Sequence, residues 1–183
     1  MPRHIDPRLE SKVLEAARKL WVKGGGKALT IRSVAKLAGT NPPALYRRFR
    51  DRDAILKALV EVYQADFLKE VESSQSPKEF ALRVLEIALR RPQEYELFLW
   101  GMRRGVTDAR PVAQLFMQRC AAVFGGSSRD YINLMLVLRN LLRGTAMHLM
   151  DNQGTVSLEQ TKEAYARAVD ILIENERKMR PGI

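Results

Sequence analysis

The sequence predicts an all-α protein in two parts, and three observations carry that expectation. Apolar residues recur at three- and four-residue spacing, and no stretch alternates with period two. Glycine, proline or Ser/Asn clusters punctuate the chain at intervals suited to helices, without tandem repeats or low-complexity tracts. Charge is divided unevenly. Residues 1–60 hold 14 Lys and Arg against 5 Asp and Glu, a net of +9, whereas residues 61–183 hold 17 against 16, a net of +1.

The elements follow in order. Asp6 can cap a first helix with Pro7 at its first position, and Leu9, Val13, Ala16, Ala17, Leu20 and Trp21 form its apolar face. Trp21 is expected in the core, and Gly24 to Gly26 end the helix. Arg3, Arg8 and Lys12 fit either a phosphate-contacting arm or a solvated tail. Thr30 then caps a short helix whose Ile31, Val34, Ala35 and Ala38 turn inward, leaving Arg32, Ser33 and Lys36 to water. Gly39 ends that helix, because a residue without Cβ enters the left-handed region easily. Asn41 caps the next, with Pro42 and Pro43 in its first turn, where missing N–H groups cost little. Leu45 and Phe49 supply its buried stripe. Tyr46, Arg47 and Arg48 are left outward beside Pro42 and Ala44.

Two short helices around a tight corner, the second bearing arginine and an aromatic residue, are the parts of a helix-turn-helix. A solvated face does not gather the whole charge imbalance into one third of a chain; binding to nucleic acid or an anionic membrane does. The membrane alternative is disfavoured, because the breaks at Gly24 to Gly26, Gly39 and Asp51 leave no long amphipathic stripe. No run approaches the ~18 apolar residues of a spanning helix. The start lacks an apolar leader segment, and the lone Cys120 has no partner for an internal disulfide, so a cytoplasmic location is expected. Two histidines, one cysteine and no Gly-rich phosphate loop give no nucleophile, acid–base set or metal-ligand spacing. No cofactor, metal or enzymatic activity is expected.

Asp51 caps a long fourth helix in which Ile55, Leu59, Val62, Tyr63 and Phe67 follow helical spacing to about Ser73. Further helices are expected near 77–90, 92–104, 110–124, 128–151 and 157–179. In the fourth of these, Ile132, Leu134, Met135, Leu136, Val137, Leu138, Leu141 and Leu142 cover more than one stripe, which predicts burial on two sides. The last helix offers Tyr165, Ala168, Val169, Leu172 and Ile173 for packing. These two helices either complete a monomeric core or face a second copy.

Residues 9–60 resemble the DNA-binding domain of tetracycline-repressor-like (TetR family) transcriptional regulators. The resemblance rests on the Ala16-Ala17 helix ending in glycine, Leu29-Thr30, Val34-Ala35, Ala38-Gly39, the Leu45-Tyr46-Arg47-Arg48-Phe49 run and Arg52-Asp53-Ala54-Ile55-Leu56. It implies a helix-turn-helix domain over residues 1–51 and a helical regulatory and dimerisation domain over 52–183. It also implies that Thr30, Tyr46 and Arg52 contact phosphates, that Arg32 reads a base, and that Pro42, Pro43 and Ala44 meet base edges, Ala44 packing on a thymine methyl. Ser33, Asn41, Arg47 and Arg48 complete the implied contact surface. The Arg47-Arg48 pair and the Thr40-Asn41-Pro42 turn depart from the family's commoner patterns, and they bear on which bases are read.

The resemblance further implies a homodimer on a palindromic double-stranded operator. Leu138, Leu142, Tyr165, Val169 and Leu172 are then expected at a four-helix interface. A small-molecule effector would release the DNA, with Phe67, Phe98, Trp100, Met102, Phe116, Met117, Cys120, Phe124, Met135 and Arg139 as candidate contacts. The alternative is a constitutive or architectural DNA-binding dimer without an inducer.

Overall fold

The computed structural model describes residues 8–108, 110–152 and 157–181. Nine α-helices occur among them: α1 (Leu9–Ala28), α2 (Ile31–Leu37), α3 (Pro42–Tyr46), α4 (Arg52–Glu72), α5 (Pro77–Arg90), α6 (Pro92–Arg103), α7 (Arg110–Phe124), α8 (Ile132–Asp151) and α9 (Leu158–Glu174). Short 3-10 turns over Ser128–Tyr131 and Glu176–Met179 complete the described structure, and no strand occurs in it. The all-α expectation stands. The proposed Asp6 cap and Pro7, with Arg3, lie outside the described residues. Within α1 the helix breaks at Gly25, whose φ is +56, and resumes for one turn to Ala28.

Two compact units divide the chain: Met1–Ala65 with Gln93–Thr107, and Asp66–Pro92 with Asp108–Ile183. The first has one core built from Val13, Ala17, Trp21, Leu29, Val34, Leu45, Phe49, Ile55, Leu56, Val60 and Leu97. Leu97 comes from α6, which is fixed into this unit along its length. Trp21 Nε1 donates to the Gln93 carbonyl at 2.6 Å, and Arg18 Nε donates to the buried Glu94 carboxylate at 2.6 Å. Further along, Gly101 lies so close to α4 that a Cβ would stand 3.1 Å from Val60 Cγ1, and Thr107 Oγ1 donates to Gln64 Oε1 at 2.6 Å. On α4 itself Ile55, Leu59, Tyr63 and Phe67 are buried as expected. Val62 is not: it is exposed, and Leu56, Val60 and Val71 take the remaining inward positions.

The second unit packs the end of α4 with α5, α7, α8 and α9. Phe80 meets Phe116 with ring centroids 5.4 Å apart, and Tyr165 donates its hydroxyl to the Ala81 carbonyl at 3.2 Å. Near the C-terminus, Arg180 grips the buried Glu176 carboxylate with bonds of 2.9 and 3.1 Å. The same guanidinium lies over the Tyr131 ring, 5.0 Å from its centroid. Cys120 is fully buried beside this cluster; burial, and then the Glu176 charge, push its thiol pKa up to about 12. It is a core residue, as the sequence suggests.

Two-sided burial of α8 is not seen within one chain. Leu134, Met135, Leu138, Ala146 and Leu149 are buried, whereas Val137 and Met147 are exposed. Leu138, Tyr165 and Val169 are core residues of their own unit, and Leu142 and Leu172 are half-buried. The outward seam of α8 runs instead through Asn133, Val137, Asn140, Gly144 and Met147, all exposed and spaced alternately by four and three residues.

Candidate nucleic-acid interface

The α2–α3 corner is closed by local hydrogen bonds that its sequence specifies. Thr30 Oγ1 accepts from the Ser33 amide at 3.1 Å, and Ser33 Oγ accepts from the Thr30 amide at 2.9 Å, a reciprocal capping box. Ser33 Oγ also donates to the Ala28 carbonyl at 2.8 Å, which leaves its hydroxyl engaged in the fold rather than offered outward. At the other end of α2, Gly39 takes φ +67. The Thr40 amide reaches the Ala35 carbonyl at 2.9 Å and the Gly39 amide reaches Lys36 O at 3.3 Å, satisfying the last carbonyls of the helix. Asn41 then caps α3 through Oδ1, which accepts from the Ala44 amide at 3.0 Å, with Pro42 and Pro43 at the first two positions.

This geometry decides which side chains face out. Tyr46 is 56% exposed, and Arg32, Lys36, Pro43, Arg47, Arg48 and Arg50 are exposed with it. Pro42 is half-buried. Ala44 turns inward at 7% exposure, beside Leu45, so the expectation that it packs outward on a base is corrected. In this five-residue helix the two adjacent positions Ala44 and Leu45 are both buried. Arg48 lies 4.0 Å from the Glu10 carboxylate of α1, which offsets part of its charge.

Arg52, expected as a phosphate contact, makes hydrogen bonds within the fold. Its Nε donates to the Leu29 carbonyl at 2.7 Å and its Nη2 to the Gly26 carbonyl at 2.6 Å, so the guanidinium ties α4 to the α1–α2 connection. Those carbonyls lie in a segment broken by glycines, where helical partners are missing. Two exposed cations, Lys36 and Arg50, were not singled out in the sequence as contacts. Their only signal there was membership of the basic N-terminal third.

The candidate effector residues are divided between the two units. Phe98 and Trp100 pack on the first unit's core, Trp100 against Trp21 with centroids 6.5 Å apart and Phe98 against Tyr63 at 6.2 Å. Met102 belongs to the same unit. In the second unit Phe67, Phe116, Cys120 and Met135 are buried, Met117 and Phe124 are half-buried, and Arg139 is exposed. No group of His, Cys, Asp or Glu suited to a metal ion occurs among the described residues. None of the described helices is long and apolar enough to cross a membrane.

Residues 13–59 match the sequence model of the bacterial regulatory proteins of the tetR family. No curated protein matches the chain in sequence. Among solved structures, the multidrug binding protein EbrR, complexed with imidazole, is similar at 23% identity and a TM-score of 0.63, over 91% of this chain and 93% of its own. A TetR variant from Acinetobacter baumannii AYE in complex with minocycline is similar at 20% identity and a TM-score of 0.67, over 93% and 97%. A TetR transcriptional regulator from Rhodococcus sp. RHA1 gives 24% identity and a TM-score of 0.60, over 92% and 97%. Identities of this size establish a shared fold, and the sequence match covers the corner described above. Residues 13–59 therefore carry the N-terminal domain of the tetR family of bacterial regulatory proteins.

Proposed function

We propose that the protein is a homodimeric, sequence-specific regulator that holds a palindromic operator and releases it when a small molecule binds. The observation that carries this reading is the outward face of the capped corner, where Arg32, Lys36, Tyr46 and Arg47 stand on two short, locally fixed helices. Tyr46 and the cations supply phosphate contacts that set register, and Arg32 is placed to engage guanine O6 and N7. Thr30 and Ser33 act through the cap, and Arg52 acts by holding the α1–α2 connection in place.

Dimerisation is supported by the heptad-like seam of α8 and by the exposed Ala164 and Ile171 on α9, with Ile171 60% exposed. A second copy is the occupant such a self-complementary helix pair suits, and two-fold symmetry then presents two corners to two half-sites. The effector reading has two supports. Relatives of the same fold were solved with imidazole and with minocycline. In the second unit, the Ser74 hydroxyl and the Arg119 Nε are buried without a hydrogen-bond partner among the described residues. Buried polar atoms of this kind are completed by an ordered water or a polar ligand. Phe67, Phe116, Met117 and Met135 remain the candidates for its apolar contacts.

Selection of bound sequences from random DNA, repeated with a metabolite pool, tests the whole reading. An inverted repeat is expected, with enrichment lost when the pool is added. Enrichment unaffected by any metabolite would favour the constitutive alternative, and failure to enrich any sequence would remove the operator.

A further inference from the structure

We infer that the effector is a monocarboxylate with an apolar body, its head group held at the α4–α5 turn by the Arg119 guanidinium of α7 and the Ser74 hydroxyl. The inference rests on the reading of the second unit as an effector-binding domain and names the chemistry of that site. Ser74 is fully buried in the turn after α4. Its amide donates to the Val71 carbonyl at 3.1 Å, and its hydroxyl has no partner among the described residues. The exposed Ser73 beside it, by contrast, donates its hydroxyl to the Glu70 carbonyl at 3.0 Å. A serine hydroxyl rotates to satisfy a carbonyl within reach, as Ser73 does, so a buried one left without an acceptor marks a place where the acceptor comes from outside the fold.

Arg119 reaches the same turn. Its Nη2 donates to the Glu72 carbonyl, close in sequence to Ser74, at 2.9 Å, which fixes the guanidinium there and leaves the buried Nε–H without an acceptor. Its charge is uncompensated as well. The other half-buried arginines described in this unit each lie against a carboxylate: Arg83 on Glu79 at 2.5 Å, Arg91 on Glu70 at 2.8 Å and Arg180 on Glu176 at 2.9 Å. A half-buried cation without a counterion is costly, and an anionic ligand removes that cost. A carboxylate fits both groups, one oxygen accepting from the Arg119 Nε–H and the other from the Ser74 hydroxyl. A neutral amide or alcohol would leave the charge uncompensated, and a phosphate would bring a third oxygen and a second charge for which these two donors make no provision. The apolar body follows from Phe116, one turn before Arg119 on the same face of α7, which is buried and packed on Phe80.

The test titrates the full chain, free of DNA, with straight-chain carboxylates from butyrate to dodecanoate and with phenylacetate, each beside its primary amide, by isothermal titration calorimetry. At least one carboxylate should saturate a single site per chain and bind about tenfold or more tighter than its amide, the scale of hydrogen bonds to a charged group. In Arg119→Gln, which keeps a donor and removes the charge, that preference should fall to about one. In Ser74→Ala the carboxylate affinity should drop severalfold, with the folding of both variants checked by circular dichroism. The comparison of carboxylate with amide needs no variant. Absence of saturable carboxylate binding across the series, or equal affinity for carboxylate and amide, overturns the inference. An undiminished preference in Arg119→Gln overturns the assignment to Arg119. Release is read separately, by fluorescence anisotropy on an operator recovered by selection. A carboxylate that binds with this pattern yet leaves operator affinity unchanged overturns release by a ligand and leaves the carboxylate site standing.

Discussion

Arg52 illustrates how a charge that looks like a DNA contact can belong to the fold. Its guanidinium accounts for two backbone carbonyls, Gly26 and Leu29, beside a glycine break. Replacing it with Ala should cost about 2 kcal/mol in urea unfolding, the scale for charged hydrogen bonds to otherwise unpaired groups. Arg52→Lys should lose much of that stability while leaving the salt dependence of DNA binding unchanged, since a point charge cannot reproduce the fork. Unchanged stability in both variants would return Arg52 to the phosphate surface. Cys120 gives a second check at this scale. With the thiol pKa raised to about 12 by burial, labelling by a maleimide at pH 8 should await global unfolding. Rapid labelling of the native protein would contradict its place in the core.

At the scale of elements, α2 and α3 were legible in the sequence because what shapes them is local. Thr30 with Ser33, Gly39, and Asn41 before two prolines each act within a few residues. The inward turn of Ala44 was not legible, because it depends on how the short α3 packs on its neighbours and not on residues within a few positions. The bounds of α6 could also be read to within a residue, yet neither its inward positions nor its packing partners could. Trp21 and Gln93 are 72 residues apart, and nothing in the periodicity of either segment names the other. The same limit applied to α8, whose apolar content was read correctly while the division between core and exposed seam was not. The close approach of α6 to α4 is testable at Gly101. Replacement by Val places a branched side chain where a Cβ alone meets Thr107 and Val60 at 3.0 and 3.1 Å. A loss of about 1–3 kcal/mol in urea unfolding is expected from such overpacking. A neutral effect would mean that the two helices separate readily.

For the whole molecule, charge and symmetry make one quantitative expectation. Nearly all the net charge, +9 of +10, lies in residues 1–60, so counterion release at this part of the chain should dominate the DNA-binding free energy. If each corner neutralises about four phosphates, a two-fold assembly neutralises about eight, and log K should fall with log salt at a slope of about −7. Between 50 and 200 mM salt the affinity should then drop by about four orders of magnitude. The slope also reports the assembly. Met147→Asp with Ile171→Asp places carboxylates on the outward seams of α8 and α9, both remote in sequence from the corner. The double variant should sediment as a monomer and show half the parental slope, with the first unit's unfolding unchanged. A monomer that kept the full slope would mean that one chain makes all the phosphate contacts. A dimer that kept the full slope would move the interface away from these seams. Halving of the slope together with the sedimentation shift would tie the basic corner to a two-fold reader, because no change confined to α8 and α9 otherwise alters how many phosphates the corner neutralises.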